Sequence, residues 1–313
     1  MINHLHSVRV FAPATSANMA VGFDILGFAV EGLGDELTLI KTNDETLVIE
    51  EVGKSGTIPL GITKNTATVA LQAMLDYLNI KQGFKVLIKK NIPVSSGLGG
   101  SAASSVAALT ALNHFLTRPL GKDQLIEFAL QGEQTACGAK HGDNVIPCLF
   151  GGMTLLQSLS PVRIIQLPLI PLHIVLIHPH LHLDTREARA ALKRHVTLDL
   201  FVKQNARIAA LVSALYEQNY ERFESACVDE LIEPMRAHLI PQFYEVKAAA
   251  YQYGALACSI SGSGPTLFAI TKTRGIAERV AQHMSLEFKK AGIPCDAILT
   301  RISAEGARVT DIK

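Results

Sequence analysis

Pro93-Val-Ser-Ser-Gly97-Leu-Gly99-Gly100-Ser101-Ala-Ala-Ser104 joins two segments of different periodicity. Before it, Phe84 to Lys89 alternates apolar and polar residues, as a half-buried strand does. After it, Ser101 to Leu116 is small and apolar on nearly every side, which predicts a buried helix. Glycines between a strand and a helix let the backbone come close to another group. A helix starting near Ser101 turns its free N–H groups and the positive end of its dipole toward that turn, a geometry that suits phosphate. Ser95, Ser96 and Ser101 add hydroxyl donors. A Walker A loop is excluded, because it ends in Gly-Lys-Ser/Thr and no lysine occurs here. Gly97-x-Gly99-x-x-Ala102 matches a dinucleotide fingerprint literally, but the next predicted element is another helix, not a second parallel strand ending in an acidic residue. A tight packing turn with no ligand remains open on this segment alone.

Around this turn lies a chain of 313 residues, 48% hydrophobic and 18% charged, long and apolar enough to bury a large core in one large domain or two ordinary ones. The net charge of +1 comes with no basic stripe, which argues against nucleic-acid binding. Apolar runs are interrupted by Pro, His, Gly or charge before they could span a bilayer, and no membrane partner is expected. The start, MINHLHSVRVF, has no basic region followed by an apolar run, so the cytoplasm is the expected compartment. Cys137, Cys148, Cys227, Cys258 and Cys295 are scattered, which predicts buried thiols and neither a zinc site nor a disulfide framework.

Strands are expected at Val8–Phe11, within 28–41 and 46–52, at Phe84–Lys89, and later at Met153–Gln157, Arg163–Leu167 and Leu172–Ile177. Helices are expected at Thr66–Leu78, Ser101–Leu116 and Lys122–Cys137, the last with Asp123 as N-cap. Further helices follow, from Thr185 to about Tyr253. The chain then reads strand (Leu256–Ile260), strand (Thr266–Ile270), helix (Ile276–Ala291) and strand (Cys295–Thr300), a split βαβ ending. The whole is α+β in two lobes, 1–160 and 161–313, joined near Ser158 to Arg163.

Two further segments change the weight of the glycine-rich turn. Near the start stands Ala12-Pro-Ala-Thr-Ser-Ala-Asn18-Met-Ala-Val-Gly22-Phe23-Asp24-Ile-Leu-Gly27, and near the end Ser259-Ile-Ser261-Gly262-Ser263-Gly264-Pro265-Thr266. Taken in order with Pro93–Ser104, they resemble the three motifs of the GHMP kinase superfamily. Asn18-x-x-x-Gly-Phe-Asp24 is similar to the form in homoserine kinases, and no galactokinase-like sugar signature is present. His141-Gly-Asp143-Asn144-Val-Ile-Pro147, Thr185-Arg-Glu-Ala-Arg189 and Asp229-Glu-Leu-Ile-Glu233-Pro234-Met-Arg236 fit the same branch. The resemblance departs at Gly100, where relatives carry Ser, which limits that position to its backbone.

The resemblance implies a two-lobed GHMP kinase fold, with a ribosomal protein S5 domain 2-like N-terminal lobe and a ferredoxin-like C-terminal lobe. It implies ATP on the central loop, covering Pro93, Val94, Ser95, Ser96, Gly97, Leu98, Gly99, Gly100, Ser101, Ala102 and Ala103. It places Lys64 and Asn65 at the nucleotide base, though Asn65 also reads as a plain N-cap. Mg²⁺ would sit on Ser101 and Glu133, although a lone helical Glu is ordinarily solvated. Asn18 and Asp143 are the implied catalytic residues, Asp143 as base or as substrate ligand. Asn18, Asp24, His141, Asp143, Asn144, Arg189, Arg236 and Gly262 are implied to bind the substrate, L-homoserine. The two arginines would take its carboxylate, which the planar guanidinium fork matches. Against this, Asn18 and Asp24 also read as turn formers, Asp143 as a helix cap, and each Arg as an exposed charge. His178-Pro-His180-Leu-His182 is taken as a chance run and not as a metal site. The rival readings are a superfamily kinase for an isoprenoid alcohol or sugar, and a silent member that only binds a metabolite. A homodimer is the assembly that relatives suggest.

Overall fold

A computed structural model describes residues 2–53, 58–138 and 140–313, without the side chains of Ala136 and Cys137. Two sheets organise it. The larger has the order β11(Arg308–Ile312)-β1(Ser7–Ala17)-β2(Leu26–Lys41)-β4(Phe84–Lys89)-β3(Leu47–Glu51), and β5(Met153–Leu159) and β6(Val162–Leu167) continue it from the first half of β2. Among these pairs β3 and β4 run parallel. Parallel strands need a crossover, supplied here by α1(Thr66–Tyr77). α2(Gly100–Phe115), α3(Lys122–Cys137) and α4(Gly142–Phe150) complete the helical layer. α2 lies innermost, with eleven buried residues between the sheet and its fellow helices, which is why its sequence shows no polar face.

The smaller sheet has the order β10(Cys295–Thr300)-β7(His173–Pro179)-β9(Leu267–Thr271)-β8(Ala257–Ile260), every pair antiparallel. With α9(Phe243–Gln252) and α10(Arg274–Lys290) on one face it forms the βαββαβ ferredoxin-like arrangement. The middle of β7, Ile174 to Ile177, is an unbroken apolar run because both its faces are covered. Ile174 and Leu176 join the core of the larger lobe, while Val175 and Ile177 join the core beneath the helices α9 and α10. Phe28 meets Phe268 edge to face across the lobes, 6.0 Å between centroids. Among the described residues, no helix is long and apolar enough to cross a membrane.

The expected boundary at 160 falls inside the β5–β6 hairpin, where Leu159 faces Val162. Residues 308–312, read as part of the second lobe, return to pair with β1. β6 pairs antiparallel with β5 and β11 with β1, so residues 162–167 and 308–312 both lie in the larger sheet. Two caps also differ. Gly121, not Asp123, is the N-cap of α3, with Gln124 Oε1 accepting the Gly121 N–H at 3.0 Å. His141, not Asp143, caps α4. The thiols of Cys148, Cys227, Cys258 and Cys295 are free; that of Cys137 lies outside the described atoms.

Candidate active site

A cleft of about 430 Å³ opens between the lobes, where all three motifs converge. The approach is close. A Cβ on Gly97 would stand 2.3 Å from the Ser261 carbonyl oxygen and 2.7 Å from that of Gly264, and Gly97 itself has φ +77°. Glycine is therefore required there on both steric and conformational grounds. Ser261 Oγ donates to the Gly97 carbonyl at 2.8 Å and contacts Ser16 Oγ at 2.9 Å. Gly99, φ +67°, is the N-cap of α2, and a Cβ there would meet Thr15 Oγ1 at 2.0 Å. Thr15 Oγ1 in turn donates to Asn144 Oδ1 at 2.7 Å, tying the first motif to α4.

Most expected site residues line this cleft: Lys64 and Asn65, Pro93 to Gly97, Gly99 to Ser101, and Glu133 on the side of the glycine-rich loop. Asn18, Asp24, His141, Asp143, Asn144, Arg189, Arg236 and Gly262 line the remainder. Leu98, Ala102 and Ala103 do not. Their side chains are fully buried in the core and brace the loop from behind. Asn65 is also the N-cap of α1, accepting from Ala67 N at 2.9 Å, so the cap and the cleft wall coincide.

The loop is buttressed by a residue that sequence reasoning missed. Lys90 Nζ forms a buried ion pair with Asp35, donates to the Gly100 carbonyl at 2.8 Å and to Ser104 Oγ at 3.1 Å. Asp35 Oδ1 accepts from Asn91 N at 2.9 Å and Ile92 N at 3.0 Å. A Cβ on Gly100 would lie 3.4 Å from Nζ, an ordinary contact, so the amine alone does not require glycine there. Lys90 follows directly on an exposed strand lysine, and no local signal marks it as buried.

Glu133 lies on α3 where Gly132 lets that helix pack against α2; a Cβ on Gly132 would meet Ser105 Oγ at 2.4 Å. The Ser101 hydroxyl bonds to the Glu133 carboxylate, whose pKa burial raises to about 7 against the lowering pull of Ser101 and Lys90. Asp143 is also buried and pushed up to about 7, first by desolvation, then by the charges of Asp24 and Glu133. Among the described residues its Oδ1 has no hydrogen-bond partner. Pro147 cannot donate to the Asp143 carbonyl one turn back. That carbonyl instead faces Gly27, where a Cβ would stand 1.9 Å away.

At the opposite end, the first motif holds three successive left-handed residues, Asn18, Met19 and Ala20, with φ of +72°, +40° and +59°. Such a run is strained for L-residues other than Asn. It is held by Asn18 N donating to Leu26 O at 2.7 Å and Gly22 N to Asn18 O at 2.7 Å. Asn18 Nδ2 donates to Gly262 O at 2.8 Å, and Asn18 Oδ1 accepts from Asp24 N at 3.2 Å. Arg189 grips Asp24 through a fork, at 2.8 and 3.2 Å. Its Nη2 also donates to His141 Nδ1 at 3.3 Å. Arginine only donates, so Nδ1 carries the lone pair and the His141 proton sits on Nε2. Burial lowers the His141 pKa, which favours that neutral form.

Arg236 is held by two carbonyls, Nε to Ala188 O at 3.0 Å and Nη1 to Gly262 O at 3.1 Å. It is only 4% exposed. No carboxylate of the described residues pairs with it, and burial followed by the Arg189 charge lowers its pKa to about 10. Its short helix α8(Glu233–Arg236) starts on Asp229, whose carboxylate accepts from Leu231, Ile232 and Glu233 N–H groups. Sequence reading also passed over Phe23 and Asp184 in the cleft wall. Thr185, the first residue of α5(Thr185–Ala190), hydrogen-bonds Ser263 at 3.1 Å. Outside the cleft, His178 Nδ1 meets Thr266 Oγ1 at 3.1 Å and His180 pairs with Asp296 at 2.9 Å.

The GHMP kinases N terminal domain matches residues 65–152, and the GHMP kinases C terminal domain matches 211–290. A homoserine kinase of Chloroherpeton thalassium is 39% identical over 97% of this chain and 100% of its own length. A crystal structure of homoserine kinase from Cytophaga hutchinsonii superposes with TM-score 0.94 at 38% identity, covering 99% of each chain. The chain belongs to the homoserine kinase family. The mevalonate kinase of Methanococcus jannaschii, at 16% identity and TM-score 0.69 over 96% of this chain and 99% of its own, shares the GHMP fold. In this chain the glycine-rich loop lines the same cleft as Arg189 and Arg236.

Proposed function

We propose that the chain transfers the γ-phosphoryl group of ATP to the side-chain hydroxyl of L-homoserine, giving O-phospho-L-homoserine for threonine biosynthesis. The observation that carries the reading is Arg236, a buried guanidinium with no carboxylate partner, in the same cleft as the glycine-rich loop. A buried charge left uncompensated is costly, and a substrate carboxylate answers it. The neighbouring Asp24–Arg189 pair offers both signs at once, which suits a zwitterion: the ammonium meets Asp24 while the carboxylate meets the arginines. An isoprenoid alcohol or a neutral sugar brings no ammonium to Asp24.

The nucleotide phosphates would lie on the loop Pro93–Gly100 and the N-terminus of α2, with the base toward Lys64 and Asn65. The Ser101 hydroxyl and Glu133 carboxylate are hard oxygen donors already in contact, and they fit Mg²⁺, which takes few protein ligands. Bound there, the ion would offset charge on the β- and γ-phosphates. Asp143 is suited to accept the hydroxyl proton, because a pKa of about 7 matches a base working near neutrality. Asn18 holds the motif that presents Asp24 and Gly262 to the acceptor. We place the protein in the cytoplasm, and a homodimer is its proposed assembly, checked by sedimentation.

The test is ATP turnover with L-homoserine, mevalonate and galactose in parallel, with the product identified by ³¹P NMR. Phosphorylation of homoserine alone is expected. Equal or greater turnover of another acceptor, or none at all, refutes the reading.

A further inference from the structure

We infer that Phe23 is the positioning residue that holds the two cleft arginines side by side, an inference that rests on the homoserine reading above. The guanidinium carbons of Arg189 and Arg236 lie over the same phenyl ring, 5.4 and 5.1 Å from its centroid. Two cations placed together in a half-buried cleft repel each other, and their fixed partners are unequal. Arg189 has the Asp24 carboxylate. Among the described residues, Arg236 hydrogen-bonds two peptide carbonyls, and the carboxylates of Asp24, Asp143 and Asp229 act on it without pairing. The negative face of an aromatic ring attracts a guanidinium within about 6 Å, more strongly where water is excluded. One ring shared by both arginines therefore offsets part of their repulsion without neutralising either. A second carboxylate would do the reverse, because it would compete with the substrate carboxylate for Arg236.

The backbone fixes the ring in place. Gly22, just before it, has no room for a side chain, since a Cβ there would meet Leu26 Cδ1 at 2.3 Å. Asp24, just after it, is left-handed at φ +61°, with its N–H held by Asn18 Oδ1. The turn thus sends the Phe23 ring and the Asp24 carboxylate into one cleft from adjacent positions, and each engages Arg189. The arginines come from separate elements, Arg189 from α5 and Arg236 from α8. Both guanidinium groups also feel the charge of Asp24 and act on His141, and the ring is a face over which both lie.

The experiment compares Phe23→Leu with Phe23→Tyr in the full chain. Leucine keeps apolar bulk and loses the π face; tyrosine keeps both. Phe23→Leu should raise KM for L-homoserine about tenfold, with kcat and KM for ATP within about twofold, and Phe23→Tyr should stay near wild type. Selectivity for homoserine over 3-aminopropan-1-ol, which lacks the carboxylate, should fall about tenfold in the leucine variant alone. If both variants behave alike, or if leucine weakens both acceptors equally, the ring is only a wall and the inference is overturned. A second measurement needs no substrate. In urea unfolding, Phe23→Leu and Arg236→Leu should be non-additive by more than about twofold in the unfolding constant, the scatter of independent sites. Additive midpoints overturn the inference even if homoserine is the substrate. Absence of homoserine turnover in the unmodified protein counts against the functional reading, and the unfolding cycle still decides the role of Phe23.

Discussion

Replacing Lys90 with Met keeps the length of the side chain and removes its charge from a pair in which Lys90 is 4% and Asp35 0% exposed. Asp35 keeps the N–H groups of Asn91 and Ile92 on Oδ1, but Oδ2 loses its cation. Breaking a buried pair from one side costs about 3–5 kcal/mol, because the remaining charge stays desolvated. In a chain this long each kcal/mol moves Tm by about 2 °C, so Lys90→Met should melt about 6–10 °C lower by calorimetry or circular dichroism. The same amine donates to the Gly100 carbonyl at the start of α2, so KM for ATP should also rise about tenfold, the scale of one charged hydrogen bond. The double variant Lys90→Met with Asp35→Asn separates the two effects. It removes both charges and leaves an amide oxygen for the two N–H groups, so most of the lost Tm should return. The ATP defect should persist, because nothing replaces Nζ at Gly100. A Lys90→Met protein melting within about 2 °C of wild type, or a double variant no more stable than the single, would refute the buttress.

Glu133→Gln should fold and bind ATP, lose about a hundredfold or more in kcat, and need more Mg²⁺ for half-maximal rate; near wild-type turnover removes Glu133 from the metal site. Gly99→Val combines positive φ with a 2.0 Å approach to Thr15 Oγ1, so a soluble variant should show KM for ATP raised at least about tenfold, and unchanged ATP affinity would make the loop purely structural. Arg236→Leu should raise KM for homoserine about tenfold or much more while KM for ATP stays put, since truncating one side of a buried charge pair costs about 2–5 kcal/mol. Asp143 and Glu133 titrate near 7 when folded, against usual values of 3.8 and 4.5. The ligand-free protein therefore binds more protons folded than unfolded across that window, and its Tm should fall as pH rises from about 4 through about 7. Asp143→Asn should flatten that fall, and an unchanged slope would contradict the raised pKa.

The parts legible in sequence were those in which local chemistry dictates local form. Gly97 and Gly99 need positive φ, Asn65 caps a helix, and Phe84–Lys89 alternates; each constraint is visible within a few residues. The convergence of the three motifs was readable only through their resemblance to a known set, because the Ser261–Gly97 contact spans 164 residues. Pairings without a motif stayed hidden. Arg189 meets Asp24 across 165 residues and Lys90 meets Asp35 across 55; in sequence each is one more charge. β11 escaped notice because its edge position leaves Arg308, Thr310 and Ile312 exposed, so the apolar signal of a strand is thin.

The same distinction explains the chemistry of the site. A residue type states what a side chain can do, and its surroundings state what it will do at neutral pH. Asp143 is an ordinary acid in the sequence. It becomes a candidate base because α4 buries it while β1–β2 and α3 bring the carboxylates of Asp24 and Glu133 near enough to raise its pKa. Arg236 becomes a candidate anion site by the opposite route, because the fold gives it two carbonyls and a phenyl ring and, among the described residues, no paired carboxylate. A site of this kind favours binding a zwitterion over a neutral alcohol, since the acceptor supplies the one charge that the protein leaves out. The acceptor specificity proposed for the cleft thus depends as much on the lack, among the described residues, of a carboxylate paired with Arg236 as on the residues present.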